Sequence, residues 1–209
     1  MSNDYNSIAK IYDGLSRVVY QKSIVKAQVF LIQLIKDNDN ILIVGGGTGW
    51  ILEEIAKLQR QNLSVVYVEK SSGMIKLAQK RNITGLKTTF IQNGIETFDA
   101  NEKFDVIITA FLFDNFKKEK IEFVFAKLNN YLKNHGIWLY ADFVNDRSNI
   151  KVWQQFLLKS MYTFFRITAG IETQELIDMQ PYFAPGYELI TEQFYYNHFI
   201  QAKAYRKRN

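Results

Sequence analysis

Ile41-Leu42-Ile43-Val44, four apolar residues with branched side chains, run directly into Gly45-Gly46-Gly47-Thr48-Gly49 and then into a stretch of helical periodicity. An apolar run of this kind is the pattern of a parallel strand covered on both faces. A turn built of glycines lets backbone N–H groups and the following helix N-terminus approach a ligand closely. Ile51, Leu52, Ile55 and Leu58 share one side of a helix running to about Arg60, and Val65-Val66-Tyr67-Val68 supplies a second strand. The four parts form a β-α-β unit, in which a parallel return to the same sheet edge requires the helical crossover.

The alternation continues downstream. Ser71 or Ser72 can cap a helix that carries Met74, Ile75, Leu77 and Ala78 at helical spacing and ends at Arg81-Asn82. A third strand is predicted near Thr88 to Ile91, a fourth over Phe104 to Ala110, a helix over Lys117 to Leu132, and a fifth strand over Ile137 to Ala141 after an Asn134-His135-Gly136 turn. Upstream, Val18, Val19, Val25, Val29, Ile32 and Ile35 give a helical apolar face between Leu15 and Ile35, closed by Asp37-Asn38-Asp39-Asn40. Ile150 to Thr168 reads as another helix, and the runs Tyr187 to Phe194 and Asn197 to Arg206 suit an antiparallel hairpin closing the sheet edge. With no internal repeat and no linker, the expectation is one α/β domain with a mostly parallel seven-stranded sheet, helices on both faces and an antiparallel C-terminal hairpin. Residues 1–37 are assigned to an N-terminal helical segment, 41–142 to the core, and 143–209 to a helix and the terminal hairpin.

Composition narrows the chemistry. The absence of cysteine removes disulfides, thiolate zinc sites and thiol nucleophiles, and two separated histidines without a carboxylate cluster predict no metal site. No apolar run reaches the ~18 residues of a membrane span. Met1-Ser2-Asn3-Asp4 lacks the basic and apolar regions of a signal peptide, so a cytoplasmic setting without a transmembrane segment is expected. Part of the net charge of +5 sits in Lys203, Arg206, Lys207 and Arg208, which read as a solvated terminus and not as a nucleic-acid arm. Twelve Tyr, sixteen Phe and three Trp exceed the ordinary need of a sheet core, and either extra core packing or an aromatic ligand pocket would use them.

Glu69 ends the second strand roughly 20 residues after the glycines, where a carboxylate can accept both hydroxyls of an adenosine ribose. The spacing disfavours a dinucleotide turn of the form Gly-x-Gly-x-x-Gly, because Trp50 stands at its last position. No Gly-Lys-Ser or Gly-Lys-Thr follows, which argues against a nucleoside triphosphate.

ILIVGGGTGW, VVYVEKSSGMIKLA, FIQNGIETF and FDVIITAFLFDNF resemble motifs I to IV of class I S-adenosylmethionine-dependent methyltransferases, the resemblance extending over about Ile8 to Arg206. The opening IAKIYDGLS and the closing GIWLYADFV, FLLKSMYTFFR and GYELITEQFYYNHFIQAKAYRK are most similar to small ubiquinone/menaquinone-biosynthesis-type methyltransferases. The resemblance implies a Rossmann-like fold and methyl transfer from S-adenosylmethionine, with S-adenosylhomocysteine as product, to a small apolar or aromatic acceptor. It implies that Gly45, Gly46, Gly47 and Gly49 pass under the methionine and ribose portions, that Glu69 holds the ribose hydroxyls, and that Lys70 and Met74 flank the adenine. Asn93 stands where the family usually has an acid facing the adenine amino group, with Gly94 and Ile95 beside the ring and Ala110 and Phe111 facing the sulfonium end. Tyr5 and Tyr12 match aromatic positions of a segment that covers the cleft. Ile43 replaces a common acid two residues before the first glycine; either another acid such as Asp13 replaces it, or cofactor affinity is weakened, or the domain is degenerate and binds a cofactor or partner without turnover.

The acceptor side is less legible. Asp142, at the carboxyl end of the fifth strand, is either a catalytic group or a loop cap, and Asp114 and Asn115 either orient an acceptor or form an Asx-type turn. His135 and His198 read as capping or exposed residues. Trp153, Phe156, Leu157, Met161, Tyr162, Phe164 and Phe165 are too many large groups for one buried stripe. They fit an acceptor pocket, an ordinary core, or a homodimer or membrane-facing patch. An RNA or protein methyltransferase is disfavoured because no Asn-Pro-Pro-Tyr loop follows the fourth strand, and a nicotinamide oxidoreductase predicts NAD(H) binding.

Overall fold

The run Ile41–Val44 becomes the core of β1 (Asn40–Val44) in a computed structural model that describes residues 23–144, 176–196 and 198–209. Around it the chain lays down α1 (Ser23–Ile32), α2 (Trp50–Lys57), β2 (Ser64–Glu69), α3 (Ser72–Ala78), β3 (Lys87–Gln92) and β4 (Phe104–Ala110). A single 3-10 turn (Phe113–Asn115) leads to α4 (Lys118–Tyr131), β5 (Leu132–Phe143), α5 (Gln180–Phe183), β6 (Tyr187–Tyr195) and β7 (Ile200–Lys207). The seven strands stand in the order β3-β2-β1-β4-β5-β7-β6. β1 to β5 are parallel, and β7 runs antiparallel to both β5 and β6. The chain moves outward from β1 to β3 and then returns to place β4 on the other side of β1. A crevice therefore opens at the carboxyl ends of β1 and β4, the switch point where open α/β sheets bind ligands.

The sheet is covered on both faces, which accounts for the continuous apolar strands. Ile41, Ile43, Tyr67, Ile108 and Leu139 pack toward Ala27 and Leu31 of α1 and Ile51, Leu52 and Ile55 of α2. Leu42, Val44, Ile107, Trp138 and Tyr140 face Ile121, Val124, Phe125 and Leu128 of α4. Much of the aromatic content packs this second layer. Phe183 stacks on Tyr205 at a centroid distance of 4.0 Å, and Phe125 stacks on Trp138 at 4.9 Å. The indole N–H of Trp138 donates to Thr109 Oγ1 at 2.8 Å, so its one polar group is satisfied in the interior. For these rings the core reading holds over the pocket reading.

Several boundaries differ from the sequence expectation. α2 stops at Lys57, and Gln59 adopts φ 54°, ending the helix before Arg60. The Asn134-His135-Gly136 turn is absorbed into an irregular start of β5. Pairing jumps from Phe104↔Leu132 to Val106↔Ile137, with His135 at φ 62°. The terminal hairpin closes the sheet, but its second strand, β7, is the one inserted beside β5, leaving β6 at the edge. The short α5, with Pro181 in its first turn, had no periodic signal to reveal it. The Ile150–Thr168 helix and the start of the N-terminal helix lie outside the described residues. Among the described residues no helix is long and apolar enough to cross a membrane.

Candidate functional site

The glycine turn continues the β1–β2 ladder, since Gly45 N–H donates to Val68 O at 2.9 Å, and then curls into the left-handed region at Gly45, Gly47 and Gly49. Glycine is required at Gly49 on two counts. Its φ is +76°, and a Cβ there would lie 2.7 Å from the Ala78 Cα of α3. At Gly46 the reason is close approach alone, because a Cβ would lie 2.3 Å from the Tyr67 ring. The Tyr67 hydroxyl reaches beyond that ring to donate to Gly47 O at 2.9 Å.

Glu69, half-buried at the end of β2, is tied into this turn. Its Oε2 accepts from Gly47 N–H at 3.1 Å and its Oε1 from Ser71 N–H at 2.8 Å. Burial pushes the Glu69 carboxyl above its ordinary range, while the N–H groups of Ser71, Gly47 and Lys70 pull the other way. Ser71 caps α3 as its sequence position predicts, its Oγ accepting from Met74 N–H at 3.3 Å. Lys70 is exposed and Met74 half-buried beside it.

The loop after β3 is joined to the same place, since Asn93 N–H donates to Glu69 O at 3.1 Å. Asn93 Oδ1 accepts from the Thr97 hydroxyl at 2.6 Å, and a Cβ on Gly94 would fall 2.5 Å from Glu96 Oε2. Ile95 is turned inward, 3 % exposed, and packs in the second core layer. On the other side of the crevice Ala110 and Phe111 are both half-buried. Phe111 adopts φ 54°, an uncommon conformation for a residue with a Cβ. It is held there by its N–H bond to Ala141 O at 2.8 Å and by ring contact with Phe143 at 4.9 Å.

Asp114 and Asn115 close the turn after β4. Asn115 Nδ2 donates to Phe111 O at 2.9 Å, Leu112 O at 3.3 Å and Asp114 Oδ1 at 2.6 Å, which ties its side chain back to the end of β4. Asp142, 2 % exposed, accepts from Phe143 N–H at 2.8 Å, with the N–H groups of Asp114 and Phe113 also directed at it. Burial pushes both carboxyls up, Asp114 to about 7 and Asp142 well above its usual range, and the charge of Asp114 raises Asp142 further. Burial thus favours the protonated form of both carboxyls, and Asp142 accepts from the backbone beside it. His135 lies at the opposite end of the sheet, at the start of β5. His198 is exposed in the β6–β7 turn, its ring 5.1 Å from that of Phe194. Ile43 is 2 % exposed and packs among apolar residues. Tyr5, Tyr12, Asp13 and Trp153 lie outside the described residues.

The structure thus gathers Gly45 to Gly49, Glu69, Lys70, Met74, Asn93 and Gly94 around one end of the sheet, with Ala110 and Phe111 across the crevice. Tyr67 and Arg81, which fasten the turn, carried no sequence signal beyond a polar-tipped aromatic in an apolar strand and a basic residue at a helix end.

Residues 41–136 match the family model described as a methyltransferase domain. No curated protein sequence matches the chain. Among solved structures, the N-methyltransferase NodS from Bradyrhizobium japonicum WM9 is similar at 11 % identity and a TM-score of 0.66, over 93 % of this chain and 100 % of that one. The 1,6-didemethyltoxoflavin-N1-methyltransferase of Burkholderia thailandensis shares 12 % identity at a TM-score of 0.62, over 98 % and 87 %. The cyclopropane synthase MmaA2 of Mycobacterium tuberculosis shares 15 % at 0.66, over 88 % and 84 %. Residues 41–136 thus match a methyltransferase-domain model, and the fold of the described residues is similar to that of solved class I methyltransferases.

Proposed function

We propose that the chain transfers a methyl group from S-adenosylmethionine to a small apolar or aromatic acceptor. The observation that carries this reading is the bonding of Glu69 to Gly47, which sets a carboxylate against a glycine turn at the switch point of the sheet. The turn fits a ligand that lies against its backbone, because among the described residues, its chain neighbours aside, nothing lies within 4 Å of where a Cβ on Gly47 would be. Gly45, Gly46, Gly47 and Gly49 would pass under the methionine and ribose. The ionised Glu69, with lone pairs beyond those used by Gly47 and Ser71, would accept the ribose hydroxyls. Lys70 and Met74 would flank the adenine, Asn93, Gly94 and Ile95 would border it, and Ala110 and Phe111 would face the reacting end.

When bound, the cofactor supplies a methyl carbon on a positively charged sulfur, open to direct displacement. The protein's part is alignment, which needs no covalent intermediate. The strained Phe111 and the rigid turn behind it form the wall against which an acceptor is set. Asp142 is bonded to that turn's backbone and serves as its anchor, so proton removal falls to the acceptor's own acidity or to solvent. A small acceptor is favoured by the relative whose structure holds 1,6-didemethyltoxoflavin with S-adenosylhomocysteine, and a quinol-like one by the similarity of the terminal segments to ubiquinone/menaquinone-biosynthesis-type enzymes.

Calorimetric titration with S-adenosylmethionine and S-adenosylhomocysteine, with NADH as control, tests the cofactor assignment. Micromolar binding of the first two and none of NADH is expected; no binding by folded protein overturns it. Binding without turnover across phenols, quinols and small acids would move the weight to a binding module, for which Ile43 is the supporting residue.

A further inference from the structure

Two consecutive carbonyls of the glycine turn are held by side chains from distant parts of the sequence. Tyr67 takes Gly47 O, and Arg81, past the end of α3, takes Thr48: its Nε donates to Thr48 O at 2.9 Å and its Nη2 to Thr48 Oγ1 at 3.1 Å. The remaining arm of the guanidinium faces Glu53 in the first turn of α2 at 3.6 Å, and Glu53 in turn accepts from Asn82 N–H at 3.3 Å. Arg81 thus joins the C-terminal end of α3, the start of α2 and the turn between β1 and α2.

Stabilising α2 does not explain this placement. A cation at a helix N-terminus opposes the helix dipole, and Glu53 serves to offset it. The gain lies in Thr48. A rigid fork of donors on one residue's carbonyl and hydroxyl fixes both its peptide plane and its side chain. Because peptides are planar, holding the Gly47 and Thr48 carbonyls also fixes the N–H groups of Thr48 and Gly49. A segment with four glycines in five residues has more backbone freedom to lose than any other in the chain. A ligand that binds an unclamped turn must supply that ordering free energy itself.

We propose that Arg81 is a positioning residue for the cofactor, holding the glycine turn in its binding shape through Thr48. The inference rests on the reading that this turn binds S-adenosylmethionine. It concerns affinity, not the methyl-transfer chemistry.

The full chain and its Arg81→Met, Arg81→Lys, Thr48→Val and Arg81→Met/Thr48→Val variants would be titrated with S-adenosylhomocysteine and melted without ligand. Arg81→Met should raise Kd about tenfold, the loss expected for charge-assisted hydrogen bonds. Arg81→Lys, which keeps the charge and a donor but not the fork, should restore part of the affinity. Thr48→Val should add little to Arg81→Met, because both remove the same contact. The proposal is overturned if wild type binds and folded Arg81→Met binds within twofold of it, or if the two single losses simply add. Should Arg81→Met fail to fold, Arg81→Lys against Thr48→Val makes the same comparison. Failure of wild type to bind would instead reject the cofactor reading on which the proposal stands.

Discussion

Glu69 Oε2 lies 3.1 Å from Gly47 N, so the acid that ends β2 is bonded to the turn that follows β1. This bond joins two loops across 22 residues of sequence and makes the carboxylate part of the turn's frame, beside its proposed role as the ribose-binding acid. Replacing Glu69 with Ala should therefore weaken S-adenosylhomocysteine binding by at least about tenfold, by loss of charge-assisted bonds to the ribose and of the support to Gly47. Glu69→Gln should fall between the two. Calorimetry decides, and a change below twofold in Glu69→Ala would mean that the ribose lies elsewhere.

The same residue predicts a pH dependence. Burial raises the Glu69 carboxyl above its ordinary range, and the proposed ribose contact uses its ionised form. Affinity should be full above the raised value and decline as pH falls through it. Titrations run downward from neutral pH should show wild type weakening while Glu69→Gln stays comparatively flat. Parallel curves for the two proteins would assign the dependence to another group.

Asp114 and Asp142 predict a dependence of the opposite sense, in stability. Their folded-state affinities for protons are raised by burial, and that of Asp142 also by the charge of Asp114, with Tyr140, Tyr205 and Asp178 as further neighbours that titrate or carry charge. The folded form binds more protons than the unfolded one between about pH 4 and about pH 7, so the contribution is complete below that window and is lost as pH rises through it. Thermal melts should show stability falling across this range in wild type. Asp114→Asn, which cannot titrate, should reduce the slope; an unchanged slope would remove Asp114 as its source.

How far the chain could be read without coordinates follows from the range over which each signal acts. β1, the glycine turn, α2 and Glu69 are specified by neighbours in sequence: a wholly apolar run, residues that tolerate positive φ, and an acid at a strand end. The Ser71 cap was legible for the same reason. Arg81 at Thr48, 33 residues away, and the insertion of β7 between β5 and β6 are decided by packing that no local pattern encodes. Phe111 at φ 54° is held by Ala141 from the neighbouring strand, so its own residue type gave no notice of it. Asp114 and Asn115 were ambiguous because the residue types that orient a ligand also make turns.

Gly47 and Gly49 separate stability from binding within one turn. Both have positive φ, so an alanine at either costs about 1–2 kcal/mol in backbone strain. At Gly49 the new Cβ would also strike the Ala78 backbone at 2.7 Å, forcing α2 and α3 apart. At Gly47 it would meet, among the described residues other than its chain neighbours, no atom within 4 Å. Gly49→Ala should therefore cost about 3 kcal/mol or more and lower Tm by roughly 6–12 °C, whereas Gly47→Ala stays near the strain cost alone. Binding should rank the other way per unit of stability lost: Gly47→Ala places a methyl where the ligand is expected and should weaken S-adenosylhomocysteine binding more than its small Tm change implies. Melting curves and titrations on the two variants read both quantities. A Gly47→Ala protein that binds as wild type does would show that the open face of the turn is not where the cofactor rests.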